Sequence, residues 1–250
     1  MKRYRTAWIS DVHLGTKGCN AEALLDFLRE HEFETLYVIG DFIDMWQLRR
    51  GIYWPQTHND VLQKILRAGR KGTRVIYIPG NHDEFLIEYH GHYGAVEIET
   101  RAIHETADGR RLLVFHGHEL DTVVQNIKWL AYIGDIGYQM LLRLNGPVNW
   151  VRRKLGLPPW SLSAAVKHNV KSAVSFIGAF EKAVVRYAET EDVAGVVCGH
   201  IHAPVIQEID NIAYYNCGDW VESCSALVED FEGKITLIKD HHITAHAAKQ

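Results

Sequence analysis

The 250-residue sequence has only four cysteines, Cys19, Cys198, Cys217 and Cys224, and no Cys-x-x-Cys pair among them. This argues against a structural zinc site built on thiolates and fits small core or loop residues in a reducing compartment. Long hydrophobic runs are missing as well. No window of about 18 uncharged apolar residues occurs, so no membrane-spanning helix is expected. No apolar signal-like stretch follows Met1–Arg5, which leads straight into a strand pattern; the expected location is therefore cytoplasmic. An excess of positive charge is absent too. The net charge is −4, which argues against extended nucleic-acid contacts, and no nucleic-acid partner is expected. There is no internal repeat and no low-complexity tract. What is present is an ordinary apolar content of 47%, enough for one large core or one core plus an insertion.

Strand-like and helical runs alternate through the first half. Thr6–Ser10, Leu36–Ile39 and Arg74–Ile78 read as strands. Between them lie two helices: one capped by Asn20 with Leu24, Leu25 and Leu28 on a face, and one starting near Thr57 with Asp60 as a capping-box-like partner and Val61, Leu62, Ile65 and Leu66 as its stripe. This order implies parallel pairing with crossover helices. Strands over Leu112–Phe115 and Val193–Cys198 follow. Four short strands after them, Val205–Ile209, Ile212–Asn216, Ser225–Val228 and Ile235–Ile238, read as an antiparallel meander. The segment from Asp121 to Tyr187 reads as two long helices, near 121–144 and 161–189, broken at Pro147 and Pro158–Pro159. It holds nine basic residues against three acids, a basic insertion in an otherwise acidic chain. The tail from His241 is polar and is expected to fray.

Chemistry concentrates in five motifs: Asp11-Val-His13, Gly40-Asp41, Gly80-Asn81-His82-Asp83, His116-Gly117-His118 and Gly199-His200-Ile-His202. Asp11, Asp41, Asn81, His116 and His200 all fall where a strand should end, and open α/β sheets bind ligands at the carboxyl ends of their strands. Residues at i and i+2 of an extended segment point the same way, so Asp11 and His13 are expected to grip one ion, and His200 and His202, at the same spacing, add two imidazoles. Glycines beside them allow tight turns and close backbone approach. Seven candidate ligands (Asp11, His13, Asp41, Asn81, His116, His200, His202) exceed what one catalytic ion with open positions uses. A carboxylate such as Asp41 can bridge two ions at roughly 3.5–4 Å. Oxygen and imidazole donors without thiolate suit Mn²⁺, the expected ion, with Fe²⁺ or Zn²⁺ as alternatives. Any one of these histidines alone would be read as a surface or satisfied core residue; the set, in this order, reverses that reading.

The series resembles the calcineurin-like metallophosphoesterase superfamily, whose pattern is D-x-H, G-D, G-N-H-[DE], a later G-H or H-G, and G-H-x-H. The resemblance covers Asp11 to His202. It implies a four-layer α/β/β/α sandwich with the metals at the sheet edge. It assigns Asp11, His13, Asp41 and His202 to one metal, and Asp41, Asn81, His116 and His200 to the other. A hydroxide bridging the ions would attack phosphorus in line, with His82 stabilising the transition state or protonating the leaving oxygen and Asp83 orienting its ring.

Within that superfamily, Gly40-Asp-Phe-Ile-Asp-Met-Trp46, the helical insertion over about 121–190 and Gly218-Asp-Trp220 resemble the UDP-2,3-diacylglucosamine pyrophosphatases of lipid A assembly. Those enzymes release UMP and the diacylglucosamine 1-phosphate, and their insertion caps the site and holds acyl chains. The resemblance implies a single domain over 1–250 carrying that cap. It also implies a nucleotide-linked lipid substrate and peripheral contact with the cytoplasmic face of the inner membrane. Val124, Ile127 and Ala131 mark one apolar face of the first inserted helix, and Trp129, Tyr132, Ile136 and Met140 another, so that helix needs two apolar partners: the core and either a lipid chain or the second inserted helix. Lys167 and Lys171, at i and i+4, share a face that meets either a diphosphate or solvent. Candidate substrate-binding residues are Trp46, Asp121, Lys167 and Lys171. Two positions depart from the narrower family: His82 where it carries Arg, and His118 where it carries Asp. They move the chain toward a phosphodiesterase or phosphatase acting on another nucleotide or phosphorylated substrate. A non-catalytic scaffold is disfavoured because no ligand of the pattern is missing.

Overall fold

A computed structural model describes residues 1–121 and 162–239, with the side chains of 162–175 excepted. The helix expected near 121–144, the proline breaks and the tail from His241 lie outside the described residues. In chain order the elements are β1 (Lys2–Ser10), α1 (Ala21–Glu30), β2 (His31–Ile39), α2 (Met45–Arg50), α3 (Gln56–Arg70), β3 (Arg74–Ile78), β4 (Gly91–Tyr93), β5 (Val96–Ile98), β6 (Ala102–Glu105), β7 (Arg111–Val114), α4 (Leu162–Thr190), β8 (Gly195–Cys198), β9 (Val205–Ile209), β10 (Ile212–Asn216), β11 (Ser225–Glu229) and β12 (Ile235–Lys239). They form two mixed sheets, ordered β12-β11-β1-β2-β3-β5-β4 and β6-β7-β8-β10-β9. The chain divides into two compact units, Met1–Glu119 with Val184–Gln250, and Leu120–Ala183.

Side-chain alternation along the strands explains the layering. In β1, β2 and β3 one set of residues (Ala7, Ile9, Leu36, Val38, Val75, Tyr77) joins Leu24, Leu25 and Leu28 of α1 and Val61 and Ile65 of α3 in one core. The intervening set (Trp8, Tyr37, Ile39, Ile76, Ile78) meets Leu112, Val114, Val197 and Tyr215 of the second sheet in another. Strands buried on both faces need apolar residues at every position, and that is why Leu36–Ile39 and Arg74–Ile78 are so legible. The last turns of α4 cover the outer side of the second sheet, where Tyr187 meets Phe115 edge-on at 5.4 Å. The result is an α/β sandwich.

Three expectations are corrected. The four late strands are not one meander: β9 and β10 pair antiparallel in the second sheet, whereas β11 and β12 pair antiparallel in the first, with β11 against β1. Alternation is identical for either partner, so the switch of sheets between Asn216 and Ser225 leaves no mark in the pattern. Asn20 does precede α1, but its side chain makes no cap; its Nδ2 donates to Val221 O at 2.7 Å and ties down the loop after β10. Helix α3 starts at Gln56 after Pro55, so Thr57 is already inside it, and Asp60 accepts from Gln56 Nε2 at 2.9 Å rather than completing a capping box.

Candidate metal centre

Five strands deliver the motif residues to one edge of the sandwich. Asp11, Asp41, Asn81, His116 and His200 lie one to three residues beyond the ends of β1, β2, β3, β7 and β8. Backbone bonds lock these loops together: Asp11 N donates to Gly40 O, His13 N to Asp41 O and Gly40 N to Ile78 O. The local backbone is not the extended one the i, i+2 spacing suggests. Asp11, His13, Asp41, His200 and His202 have φ of 51°, 54°, 50°, 70° and 53°. Left-handed backbone is costly for residues other than glycine and persists where the surroundings enforce it, often at functional sites. Two glycines admit the crowding. A Cβ on Gly40 would strike the His116 ring, and one on Gly80 would fall between Asp41 and His116.

The side chains form overlapping groups whose donor atoms lie within 4.8 Å of one another: Asp11, His13 and His202; His13, Asp41 and His82; Asp41, His116 and His200. Asp41 faces both ends of the cluster with different oxygens. Its Oδ1 is 3.5 Å from His116 Nε2, and its Oδ2 is 3.9 Å from His13 Nε2. Each imidazole is set from behind. His13 Nδ1 donates to Asp44 Oδ2 at 3.2 Å, and His116 Nδ1 to Ile39 O at 3.3 Å, leaving the two Nε2 atoms toward the centre. That is the arrangement that fixes the tautomer of a metal-binding histidine.

Do these residues fit metal ions? Asp11 Oδ1, His13 Nε2, Asn81 Oδ1 and His116 Nε2 are buried polar atoms without a hydrogen-bond partner. Buried polar atoms are nearly always satisfied, so four such atoms on the loops at this one sheet edge call for a ligand. The charges agree. Burial alone would favour a neutral His116, yet Asp41 and Asp11 outweigh it and push the ring up to about 9. Burial likewise opposes charge on Asp41, and His116 and His82 overcome it to hold the carboxyl far below the usual range. Two buried carboxylates thus draw positive charge to this point, and a metal ion would displace those protons.

The chain matches the calcineurin-like phosphoesterase family over residues 4–204. It belongs to that family. Its curated relatives include proteins named UDP-2,3-diacylglucosamine hydrolase. That of Ectopseudomonas mendocina (strain ymp) is 28% identical over 240 residues, covering 90% of this chain and 94% of the relative. That of Azotobacter vinelandii is 27% identical over 220 residues, covering 82% and 84%. Among solved structures, a hypothetical protein from Pyrococcus horikoshii OT3 shares the fold, with a TM-score of 0.50 at 11% identity over 99% of this chain and 92% of that one. The chain is a metal-dependent phosphoesterase.

The remaining expected residues fall in different places. His82 lines the centre, with Nε2 3.8 Å from Asp41 Oδ2. Asp83 does not orient its ring. It is fully buried and accepts from the backbone N–H groups of Gly80, Phe42 and Ile43 and from the Tyr77 hydroxyl, so it pins the loop after β3 to the loop after β2. Asp44 takes the orienting place instead, with Oδ1 3.0 Å from His82 Nδ1 while Oδ2 accepts from His13. The sequence reading missed Asp44. Its signal was a helix cap: Asp44 Oδ1 accepts from Gln47 N at 2.8 Å at the start of α2. Asp219 was missed too. It lies behind His202, Oδ2 to Nδ1 4.0 Å, within Gly218-Asp-Trp220. Trp46 is half exposed and stacks on His82, centroids 4.2 Å apart. His118 sits beside His116, centroids 5.4 Å apart. Lys167 and Lys171 lie on α4, as the pattern implies, but their side chains are outside the described ones; they and Asp121 belong to the Leu120–Ala183 unit. Among the described residues, no helix is long and apolar enough to cross a membrane.

Proposed function

We propose that this phosphoesterase cleaves the diphosphate of UDP-2,3-diacylglucosamine to UMP and 2,3-diacylglucosamine 1-phosphate, using two divalent ions, with Mn²⁺ as first choice. Asp11, His13, Asp41 and His202 would hold one ion, and Asp41, Asn81, His116 and His200 the other. The observation that carries the two-ion reading is Asp41, whose two oxygens face the two histidine sets. Bound there, the ions supply charge neutralisation and an activated water. The protein's own part is positional. Asp44 and the Ile39 carbonyl hold the His13 and His116 rings by their Nδ1 atoms. Asp83 clamps the Asn81-His82 loop by backbone amides. His82, with Nδ1 at Asp44 and Nε2 toward the centre, carries a proton for the leaving oxygen. Burial disfavours that proton, but Asp44 and Asp41 outweigh burial and raise the His82 pKa.

Relatives named UDP-2,3-diacylglucosamine hydrolase, aligned along 80% to 90% of the chain, support this substrate. In this reading Trp46, Asp121, Lys167 and Lys171 contact the substrate, the 121–190 insertion serves acyl-chain recognition, and the enzyme works peripherally at the cytoplasmic face of the inner membrane. A second reading, a phosphodiesterase or phosphatase on another nucleotide or phosphorylated substrate, is favoured by His82 and His118, where the narrower family carries Arg and Asp. The test is UMP release from UDP-2,3-diacylglucosamine by the purified Mn²⁺-loaded protein. Release at a rate above that of bis(p-nitrophenyl) phosphate supports the first reading. Turnover of the diester with no UMP formed establishes the second.

A further inference from the structure

His82 stands between two spaces. One is the metal centre, where its Nε2 lies 3.8 Å from Asp41 Oδ2. The other is a cavity of about 440 Å³, which His82 and Asn81 also line and which is walled by α2 and by the 3-10 helix Glu84–Tyr89. A volume of that order falls within the usual range of small-molecule sites, roughly 300–1,000 Å³. The cavity's apolar surface is open to solvent. Trp46 is 50% exposed even with His82 stacked on its ring, and Phe85 is 41% exposed. Folding therefore leaves much of both rings uncovered, and a flat ligand laid on them would gain the burial that folding did not.

The charged surface narrows the choice of ligand. Glu84 and Glu88 line the same cavity, and among the described residues neither has an ion-pair partner. One cation, Arg49, lines it too, and its place in the last turn of α2 accounts for its sign. Two carboxylates repel a phosphate and keep it on the metal side of His82. Against an acyl chain they would lose their water with nothing in return. They accept hydrogen bonds from a neutral group that carries N–H or O–H donors, while the two rings suit a flat face. A nucleoside offers both, a planar base and a ribose with two hydroxyls.

We propose that this cavity is a nucleoside subsite: the base lies against Trp46 and Phe85, the ribose hydroxyls donate to Glu84 and Glu88, and the attached phosphate reaches past His82 to the metal centre. Phe85, Glu84 and Glu88 thereby join Trp46 as specificity-determining residues. The inference rests on the nucleotide half of the proposed substrate and is independent of its acyl chains.

The test is calorimetric titration of the Mn²⁺-loaded full-length protein with UMP and with ribose 5-phosphate, which has the same sugar and phosphate but no base. UMP is expected to bind about tenfold more tightly or better. Phe85→Ala should remove most of that advantage, weakening UMP by about fivefold or more, with metal content and ribose 5-phosphate affinity unchanged. Phe85 is the position of choice because Trp46 also packs on His82. If Phe85→Ala lowers the melting temperature, Phe85→Leu replaces it, which keeps an apolar side chain and loses the ring; a loss of about threefold is then expected. Glu84→Ala with Glu88→Ala should weaken UMP by about threefold or more and leave 2′,3′-dideoxyuridine monophosphate unaffected. Equal affinity for UMP and ribose 5-phosphate, an undiminished preference for UMP in both Phe85 variants, or equal losses for the two nucleotides in the glutamate variant would overturn the proposal. The outcomes are distinct from those of the substrate test. Base-dependent UMP binding without UMP release from UDP-2,3-diacylglucosamine keeps the subsite and discards the lipid substrate; UMP release without base-dependent binding does the reverse.

Discussion

The sandwich buries charge at two places and treats it in opposite ways. Near the amino end of β1, Glu229 is fully buried, and both its oxygens are satisfied. Oε1 accepts from Arg5 Nη1 at 2.9 Å and Ala107 N at 2.7 Å; Oε2 accepts from Arg5 at 3.0 Å and from His104 at 2.9 Å. His104 belongs to β6 and Glu229 to β11, so this knot ties one sheet to the other. At the metal edge, Asp11, His13, Asn81 and His116 each leave a buried donor or acceptor atom without a hydrogen bond, and five of the motif residues have left-handed backbone. A closed polar network rigidifies a fold; an open one is costly unless something completes it. The difference separates charge kept for structure from charge kept for chemistry.

Removing the carboxylate of each region should separate the two by their effect on turnover. Asp41→Ala should reduce phosphoester turnover by roughly 1000-fold or more and abolish binding of at least one metal equivalent, while the metal-free protein also melts lower than wild type, because His116 and the His82 N–H lose the carboxylate they hold ionised. Turnover with saturating Mn²⁺, metal analysis and calorimetry check the three parts. Next in size, His82→Ala should slow turnover by about 100-fold or more with metal content unchanged, and Asp44→Asn by about 10-fold to 100-fold with weaker metal binding, because Asp44 also sets His13. Metal loss in proportion to rate in the His82 variant would make His82 a ligand instead.

Glu229→Gln should leave turnover intact and lower unfolding free energy by about 2 kcal/mol at neutral pH, a modest value because Arg5 is partly exposed and can rehydrate. The smallest effect sharpens the contrast. Burial pushes the Glu229 carboxyl up, but His104 and the Ala107 N–H outweigh it and hold its pKa below the usual value. The stability it provides is therefore fully present above the unfolded carboxyl's pKa of 4.5 and is lost as pH falls through the lower folded value. Urea denaturation below pH 4.5 should show a shallower acid loss in the Gln variant than in wild type; parallel curves would remove Glu229 from the acid limb.

The two regions were also unequally legible. The metal edge was readable because strands buried on both faces produce unbroken apolar runs, and each of five runs ends beside Asp, Asn or His. The Glu229 knot was invisible, because Arg5, His104 and Glu229 come from strands whose pairing no periodicity specifies. At the centre itself, ligand types were readable but backbone shape was not: the i, i+2 rule assumes extended chain, whereas Asp11, His13, His200 and His202 are left-handed. Asp83 was misread for a related reason. It adjoins His82 in sequence, but the turn after β3 aims it at backbone amides, and the ring's partner arrives from the next loop as Asp44. The strands β4 and β6 at sheet edges, and β5 beside β4, are only three or four residues long, too short for alternation to register.

The central claim is that the orphaned atoms at the strand ends hold two ions with Asp41 between them. Anomalous diffraction from crystals grown with Mn²⁺ tests it directly. The account predicts two peaks roughly 3.5–4 Å apart, one beside His13 Nε2 and Asp11 Oδ1 and the other beside His116 Nε2 and Asn81 Oδ1, with an Asp41 oxygen reaching each. A single peak at saturating Mn²⁺, or two peaks not joined by Asp41, would contradict it.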